Sequence, residues 1–266
     1  MEIRTVAPKL GWLWVLQGFV MFRAYPAFWL LLLLFYWLGL VVVSSIPFVG
    51  PLVATALIPG LAAGFMAACQ AVNQKRPPLP SHLLSPFRGN PRAQVSLGVA
   101  YIAALALVLG VSALIDGGTL FRMMLLGAPM TEEALRTPLL QTAGLVAMAL
   151  YAPLLLAFWF APALCLWQGM TPAKALFFSF FAGLRNTRAF LVYGLGWLLF
   201  AGVIPMVLAL VLGLMLPRRQ ESTALVALIL TPYMLIAACA MICSFYASYV
   251  AIFIEAEAPA PPEPTS

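Results

Sequence analysis

Of the 266 residues, 64% are hydrophobic and only 8% are charged, whereas soluble domains are about half apolar and about a quarter charged. This composition, with a mean hydropathy of +1.03, excludes a soluble protein and indicates an all-α, multi-pass integral membrane protein. The formal net charge of +6 is modest and is concentrated at one membrane face, as shown below, which argues against nucleic acid as a partner. We expect a single transmembrane domain over residues 1–254 with about six transmembrane helices, each of roughly 20 residues or more.

The N-terminal apolar segment, residues 10–23, lies between Lys9 and the pair Arg23 and Pro26. It is too short to span a bilayer. A secretory signal peptide is the competing interpretation, but no small-residue cleavage site follows and the apolar pattern resumes at once. We therefore expect an interfacial or re-entrant helix, with Trp12 and Trp14 at headgroup level.

The first two spans are predicted over residues 27–46 and 52–72, joined by the tight turn IPFVGP. Small residues recur at a four-residue spacing in the second span, and this spacing lets two backbones approach closely in lipid. An internal helix contact is the favoured role of this stripe, and homodimerisation is the alternative. The stripe consists of Ala56, Gly60, Gly64 and Ala68.

A polar, proline-rich loop with a short surface turn is predicted from Asn73 to Arg92. Its histidine, His82, is the only one in the chain, and no acidic residue lies in the segment to orient it, so we expect a surface residue and no metal or catalytic site. The external segment from Asp116 to Pro138 contains three methionines, for which packing or lipid contact is expected over a soft-metal site. A capped helix start is predicted there at Thr131, which is followed by two glutamates.

The remaining spans are predicted over residues 93–115, 139–167, 189–216 and 223–254. Prolines inside three of them predict kinked or broken helices, whose freed carbonyls are satisfied by neighbouring groups. These prolines are Pro153, Pro162, Pro205 and Pro232. The last twelve residues, 255–266, are acidic and proline-rich, and we expect a disordered tail.

A surface helix is predicted over residues 171–186. Thr171 followed by Pro172 is typical of a helix N-cap with proline at the first helical position. Ala175 and Ser179 lie on one face of small residues, which continues through Ala182, Gly183 and Asn186. The rest of the helix is crowded with phenylalanine and leucine, so we expect the small face to pack on another helix and the phenylalanine face to contact acyl chains.

Basic residues predict the orientation. With a cytoplasmic N-terminus, ten lysines and arginines fall on the inner side and four on the outer side, which places both termini in the cytoplasm by the positive-inside rule. Six of the inner residues precede a span or lie on a surface helix, and they are the candidate contacts to anionic lipid headgroups. These are Arg23, Arg88, Arg92, Lys174, Arg185 and Arg188. The alternative is that these residues only orient the protein in the membrane.

Three short segments share a pattern of an apolar residue and an arginine just before a span. They are FRAYPAF from Phe22, FRGNPRA from Phe87 and LRNTRAF from Leu184. An internal repeat of surface segment plus helical hairpin and a merely shared topology explain this pattern equally well, since the spacings are unequal.

The segments GWLWVLQGFVMFRAYPAFW and FAPALCLWQGMTPAKALFFSFFAGLRNTRAFLVYGLG resemble an uncharacterised family of multi-pass inner-membrane proteins from proteobacteria. More distantly, the surface-helix-then-span pattern resembles the membrane domain of some bacterial glycerophosphodiester phosphodiesterases. The first resemblance implies an inner-membrane location and brings no activity or catalytic residues. The soluble catalytic domain that the second would imply is absent from this sequence.

An enzyme is the least supported class of function. Every acidic residue lies at or beyond a predicted span end, and no paired carboxylates, nucleophile with base, cofactor site or metal site can be assembled. The four cysteines fall inside apolar runs, so packing is expected and not a disulfide framework. We expect a non-catalytic scaffold or lipid-interacting protein, with a membrane-protein partner or homo-oligomer as an open question. A transporter or channel for a neutral or lipid-like solute is the alternative, since broken helices can build midplane sites.

Overall fold

The computed structural model describes residues 3–129, 131, 133, 136–215 and 220–254. Several predicted features lie outside these described residues: the tail at residues 255–266, Glu132 of the predicted helix start, and residues 217–219 between the last two predicted spans. The described chain contains helices and no strand, which confirms the all-α prediction.

Eleven α-helices follow one another in the described residues. Two shorter or irregular helices accompany them: a 3₁₀ helix at Pro80–Leu84 and a π-helix at Leu198–Val203. The α-helices are α1 (Lys9–Ala24), α2 (Pro26–Ser44), α3 (Gly50–Asn73), α4 (Ser85–Gly89), α5 (Pro91–Asp116), α6 (Thr119–Leu126), α7 (Pro138–Trp167), α8 (Pro172–Arg185), α9 (Thr187–Trp197), α10 (Ile204–Met215) and α11 (Gln220–Phe253).

Six helical stretches in the described residues are long and apolar enough to cross a membrane, which confirms a multi-pass protein with six spans. They are Pro26–Ser44, Gly50–Asn73, Pro91–Asp116, Pro138–Trp167, Thr187–Met215 and Ala224–Phe253. The chain divides into two compact units: unit 1 holds the described residues of 1–34, 68–79 and 185–266, and unit 2 holds residues 35–67 and 80–184.

In unit 1, α1 packs lengthwise between α9 and α11. Glycines permit this approach, because a Cβ on Gly11 would overlap the carbonyl oxygen of Ala189 and a Cβ on Gly18 would overlap that of Ala240. Trp14 is 1% exposed, and its ring lies 5.4 Å from that of Phe190. Since α9 opens a candidate span, this lengthwise contact favours a re-entrant α1 over a helix lying flat at the surface.

The N-terminal segment of unit 1 is pinned by Asn186, which is 2% exposed. Its Oδ1 accepts a hydrogen bond from the Val6 amide at 2.8 Å, and its Nδ2 donates to the Arg4 carbonyl at 2.9 Å. The Arg4 amide in turn donates to the Ile252 carbonyl at 3.2 Å, at the end of α11. One buried amide side chain therefore satisfies two backbone groups of the segment that precedes α1.

The interruption predicted at Pro205 corresponds to the π-helix Leu198–Val203, which ends two residues before that proline. Pro205 has no backbone N–H, so the regular hydrogen-bond ladder cannot continue through it. The hydroxyl of Tyr233 on α11 donates to the Phe200 carbonyl within this irregular turn. Neighbouring side chains thus satisfy carbonyls that the irregular helix leaves free.

In unit 2, the stripe of small residues on α3 makes room for the segment before α5. A Cβ on Gly60 would overlap the Phe87 ring, and a Cβ on Gly64 would overlap the backbone of Leu83. Further along α3, the carbonyl oxygen of Ala56 lies so close to Gly98 of α5 that a Cβ on Gly98 would overlap it. The stripe therefore contacts two short helices and one span of its own unit. Its fourth member, Ala68, belongs to unit 1 and is fully buried.

Candidate lipid-headgroup site

The surface helix α8 has two distinct faces. Its small side chains Ala175, Ser179 and Ala182 are fully buried. On the other side, Phe177 is 59% exposed and Leu184 is 52% exposed. The helix therefore packs through small residues and presents large apolar side chains outward, as a helix lying in a lipid interface does.

Ser179 forms hydrogen bonds with both an N–H and a C=O group of the α7 backbone. The Phe160 amide donates to the Ser179 Oγ at 2.9 Å, and the Ser179 hydroxyl donates to the Leu156 carbonyl at 2.7 Å. Phe160 and Leu156 are four residues apart, so the hydroxyl stands between an N–H and a C=O that would bond each other in a regular helix. This inserted hydroxyl fixes α8 against α7, next to Pro162.

Two amide side chains from the start of α5 reach the end of α7. Gln94 is fully buried, and its Nε2 donates to the Pro162 carbonyl at 3.0 Å. Asn90 caps α5 by accepting from the Ala93 amide at 3.3 Å, and its Nδ2 lies 3.5 Å from the Cys165 carbonyl. The Oε1 of Gln94 has no hydrogen-bond partner in the described structure. The start of α5 and the end of α7 are thus joined by polar contacts inside an otherwise apolar bundle.

We call this junction the basic end of unit 2. It comprises α4, the start of α5, the end of α7 and the start of α8. A cleft of about 220 Å³ opens there, with one wall from α5 and the other from the turn between α7 and α8. The cleft is lined by Asn90, Arg92, Ala93, Ser96, Gly169, Met170, Thr171 and Pro172.

Three of the predicted headgroup contacts lie at the basic end. Arg88, Arg92 and Lys174 are all exposed there, and the Lys174 ammonium lies 5.9 Å from the centre of the Phe178 ring. With 26 residues, α5 is about 39 Å long, against a hydrocarbon core of about 30 Å. It is therefore long enough to carry the first turn, and with it the cleft, to headgroup level.

The carboxylates in the described part of unit 2 come at or beyond the opposite end of α5. Asp116 is the last residue of that helix, and Glu133 follows it in the chain. The Asp116 side chain accepts hydrogen bonds from the amides of Gly118 at 2.9 Å and Leu120 at 2.6 Å, so it caps the next helix. The exposed cations of the basic end therefore have no carboxylate beside them within the described chain of this unit.

The other three predicted headgroup contacts, Arg23, Arg185 and Arg188, are exposed residues of unit 1. The structure therefore gathers one half of the predicted set at the basic end and leaves the other half in a separate unit. Ser96 was not predicted, although it stands four residues after Arg92 and so shares its helix face. That spacing is the signal by which the sequence could have found it.

The three arginine-containing segments share one arrangement of helices, although the backbone angles of the third differ from those of the other two. In each, a helix ends, a single residue follows and a span begins: Tyr25 between α1 and α2, Asn90 between α4 and α5, and Asn186 between α8 and α9. Tyr25 and Asn90 have nearly the same backbone angles, with φ of −144° in both. An arginine thus stands one or two residues before each turn into a span.

No group of three or more metal-binding side chains occurs within the described residues. The four cysteines are free and buried.

Comparison with known proteins gives one informative relative. The chain is 37% identical to a probable inner membrane protein of Burkholderia thailandensis, over all of this chain and 99% of that protein. No protein-family model matches the sequence, and no solved structure matches it significantly. The relative supports the resemblance to inner-membrane proteins, whereas the resemblance to glycerophosphodiester phosphodiesterases finds no support.

Proposed function

Because the chain belongs to the same family as this inner membrane protein of Burkholderia thailandensis, we propose that it is a non-catalytic inner-membrane protein that engages anionic lipids. The basic residues beside its spans are the contacts, and the face that carries them is cytoplasmic. A membrane location follows from the six apolar helices and the relative.

One observation carries the lipid proposal. At the basic end of unit 2, exposed Arg88, Arg92 and Lys174 stand beside a helix whose outer face carries exposed phenylalanines, without a carboxylate at that end in the described chain. Anionic phospholipids offer the matching pair of features, a negative headgroup and apolar chains. Each basic residue near an anionic surface contributes about 1 kcal/mol, so several together can select anionic over neutral lipid.

The orientation rests on the bias of basic residues, ten against four, which places the cationic segments in the cytoplasm. A non-catalytic role is supported by the structural use of the Asp116 carboxylate, which caps a helix.

A double variant tests the proposal. Arg88→Glu with Lys174→Glu is expected to lower the apparent affinity for cardiolipin and phosphatidylglycerol by roughly 30-fold or more, since about 1 kcal/mol is lost per residue. Native mass spectrometry of the purified full chain measures the anionic lipid that it retains. The matched control is Arg218→Glu with Arg219→Glu, which changes two basic residues on the predicted outer side.

Alkaline phosphatase fused after Ser266 reports the orientation in the wild type and in both variants, and we expect it to be inactive in all three. Retention of equal anionic lipid by the wild type and the Arg88→Glu, Lys174→Glu variant would overturn the proposal. An active phosphatase on the wild type would overturn the cytoplasmic orientation.

A carrier for a neutral or lipid-like solute is the second candidate, favoured by the π-helix Leu198–Val203 and its Tyr233 contact. π-Helical turns occur frequently at functional sites. Translocation of a fluorescent phospholipid analogue across vesicles that contain the protein would support the carrier, and its absence would favour the non-transporting role.

A further inference from the structure

The cleft at the basic end has the size of a headgroup and not of a whole small molecule. Its volume is about 220 Å³, whereas pockets for drug-sized ligands enclose about 300–1,000 Å³. A phosphate with a small polar substituent therefore fits its dimensions better than a metabolite with several rings.

Besides Asn90, whose side chain already bonds the protein, three side-chain hydrogen-bond donors line this cleft. Arg92 and Ser96 are four residues apart on α5, which places them on one face of that helix, and Thr171 lies on the opposite wall. Within the described chain, no hydrogen bond or ion pair occupies the Arg92 guanidinium or the Ser96 and Thr171 hydroxyls. All three donors are therefore available to a ligand in the cleft.

The charge around the cleft selects an anion. Arg88 and Lys174 are both exposed and each stands two residues along the chain from a lining residue, Asn90 and Pro172 respectively. The nearest carboxylate along α5, that of Asp116, is at the other end of a 26-residue helix. A guanidinium presents its donors in a fixed planar fork that matches two phosphate oxygens. Phosphate is thus the chemical group that the cleft fits best.

The helix that begins at the cleft also provides a surface for acyl chains. Along α8, Phe177 is 59% exposed, Phe181 is 37% exposed and Leu184 is 52% exposed. We propose that the cleft binds the phosphate of a single anionic phospholipid, held by Arg92, Ser96 and Thr171, with the acyl chains beside the exposed face of α8. This inference rests on the proposed function and assigns it a defined site.

Titration of the purified full chain with dioleoylphosphatidylglycerol, followed by native mass spectrometry, tests this site. Arg92→Gln is expected to weaken binding of the first lipid by about tenfold, because one charge-assisted phosphate contact is lost. Arg122→Gln is the matched control, since Arg122 is also exposed but lies beyond the other end of α5. The control is expected to bind as the wild type does, and equal melting temperatures verify that both variants are folded.

The outcomes separate the two proposals. Equal binding by Arg92→Gln and the wild type, with phosphatidylglycerol still preferred over phosphatidylcholine, would overturn the cleft and leave anionic-lipid binding intact. Equal binding of the two lipids by the wild type would overturn the proposed function itself. Inorganic phosphate in millimolar excess is expected not to displace the lipid. Displacement of the lipid by phosphate would overturn the lipid assignment and show that the cleft binds a free anion.

Discussion

The two ends of the α5–α7 pair in unit 2 differ in packing and in charge. At the basic end, Gln94, Asn90 and the inserted hydroxyl of Ser179 satisfy backbone carbonyls of α7. At the far end, formed by the end of α5 and the start of α7, Gly110 and Gly144 have open space where a Cβ would lie. The charged residues also differ: within the described chain the basic end carries Arg88, Arg92 and Lys174 without a carboxylate, whereas the far end carries Asp116 as well as Arg122.

The difference between the two ends indicates where a defined ligand-binding site can form. A binding site needs donors held in fixed positions by packing and by hydrogen bonds behind them. The basic end has both, because buried side chains fix the elements that position Arg92 and Thr171. The far end has exposed leucine, with Leu114 86% exposed, and suits general contact with acyl chains.

The largest expected effect on stability comes from replacing Gly98 of α5, and Gly110 of the same helix provides the matched control. Gly98→Leu places a side chain where the carbonyl oxygen of Ala56 lies, whereas Gly110→Leu enters open space. We expect the first change to cost about 3 kcal/mol from overpacking and to lower the melting temperature by roughly 6–12 °C on the scale of soluble domains. Thermal unfolding in detergent measures both variants.

Gly110→Leu is expected to leave the melting temperature unchanged or to raise it slightly, since leucine has the better helix propensity. Equal destabilisation by Gly98→Leu and Gly110→Leu would contradict the claimed difference in packing between the two ends.

A smaller effect is expected from the inserted hydroxyl. Ser179→Ala removes the group that joins the Phe160 amide to the Leu156 carbonyl, and we expect a loss of about 1–2 kcal/mol in the free energy of unfolding. Thr142→Val is the matched control at the far end, because the Thr142 hydroxyl only donates to Pro138 of its own helix, at 2.9 Å. The control is expected to stay within about 0.5 kcal/mol, and the same melting assay compares the two. If the Ser179→Ala protein is as stable as the control, the Phe160 amide and the Leu156 carbonyl of α7 do not need the Ser179 hydroxyl as a hydrogen-bond partner.

Much of the fold could be predicted from the sequence, because long apolar runs have few solutions in lipid. The six spans follow from hydropathy and length, and the small face of α8 follows from spacings of three and four residues. Proline and glycine positions likewise indicated an irregular stretch where the π-helix Leu198–Val203 occurs.

The partners of these faces could not be predicted, because they depend on contacts between residues far apart in the chain. The spacing placed Ser179 on a packing face but not between Phe160 and Leu156. The stripe at Gly60 and Gly64 predicted a helix contact, yet the segment that fills it is a 3₁₀ helix and a five-residue helix. The cleft joins Arg92 to Thr171, which no local motif connects.

Photocross-linking at the two ends tests the central claim most directly. A benzophenone amino acid at Ala173, beside the cleft, and another at Leu114, at the far end, capture neighbouring lipid in vesicles of phosphatidylglycerol and phosphatidylcholine. We predict that Ala173 captures phosphatidylglycerol at several times its bulk fraction, that Leu114 captures the bulk mixture, and that Arg92→Gln returns Ala173 to the bulk ratio. Capture of the bulk mixture at both positions in the wild type would contradict selective binding of anionic lipid at the basic end.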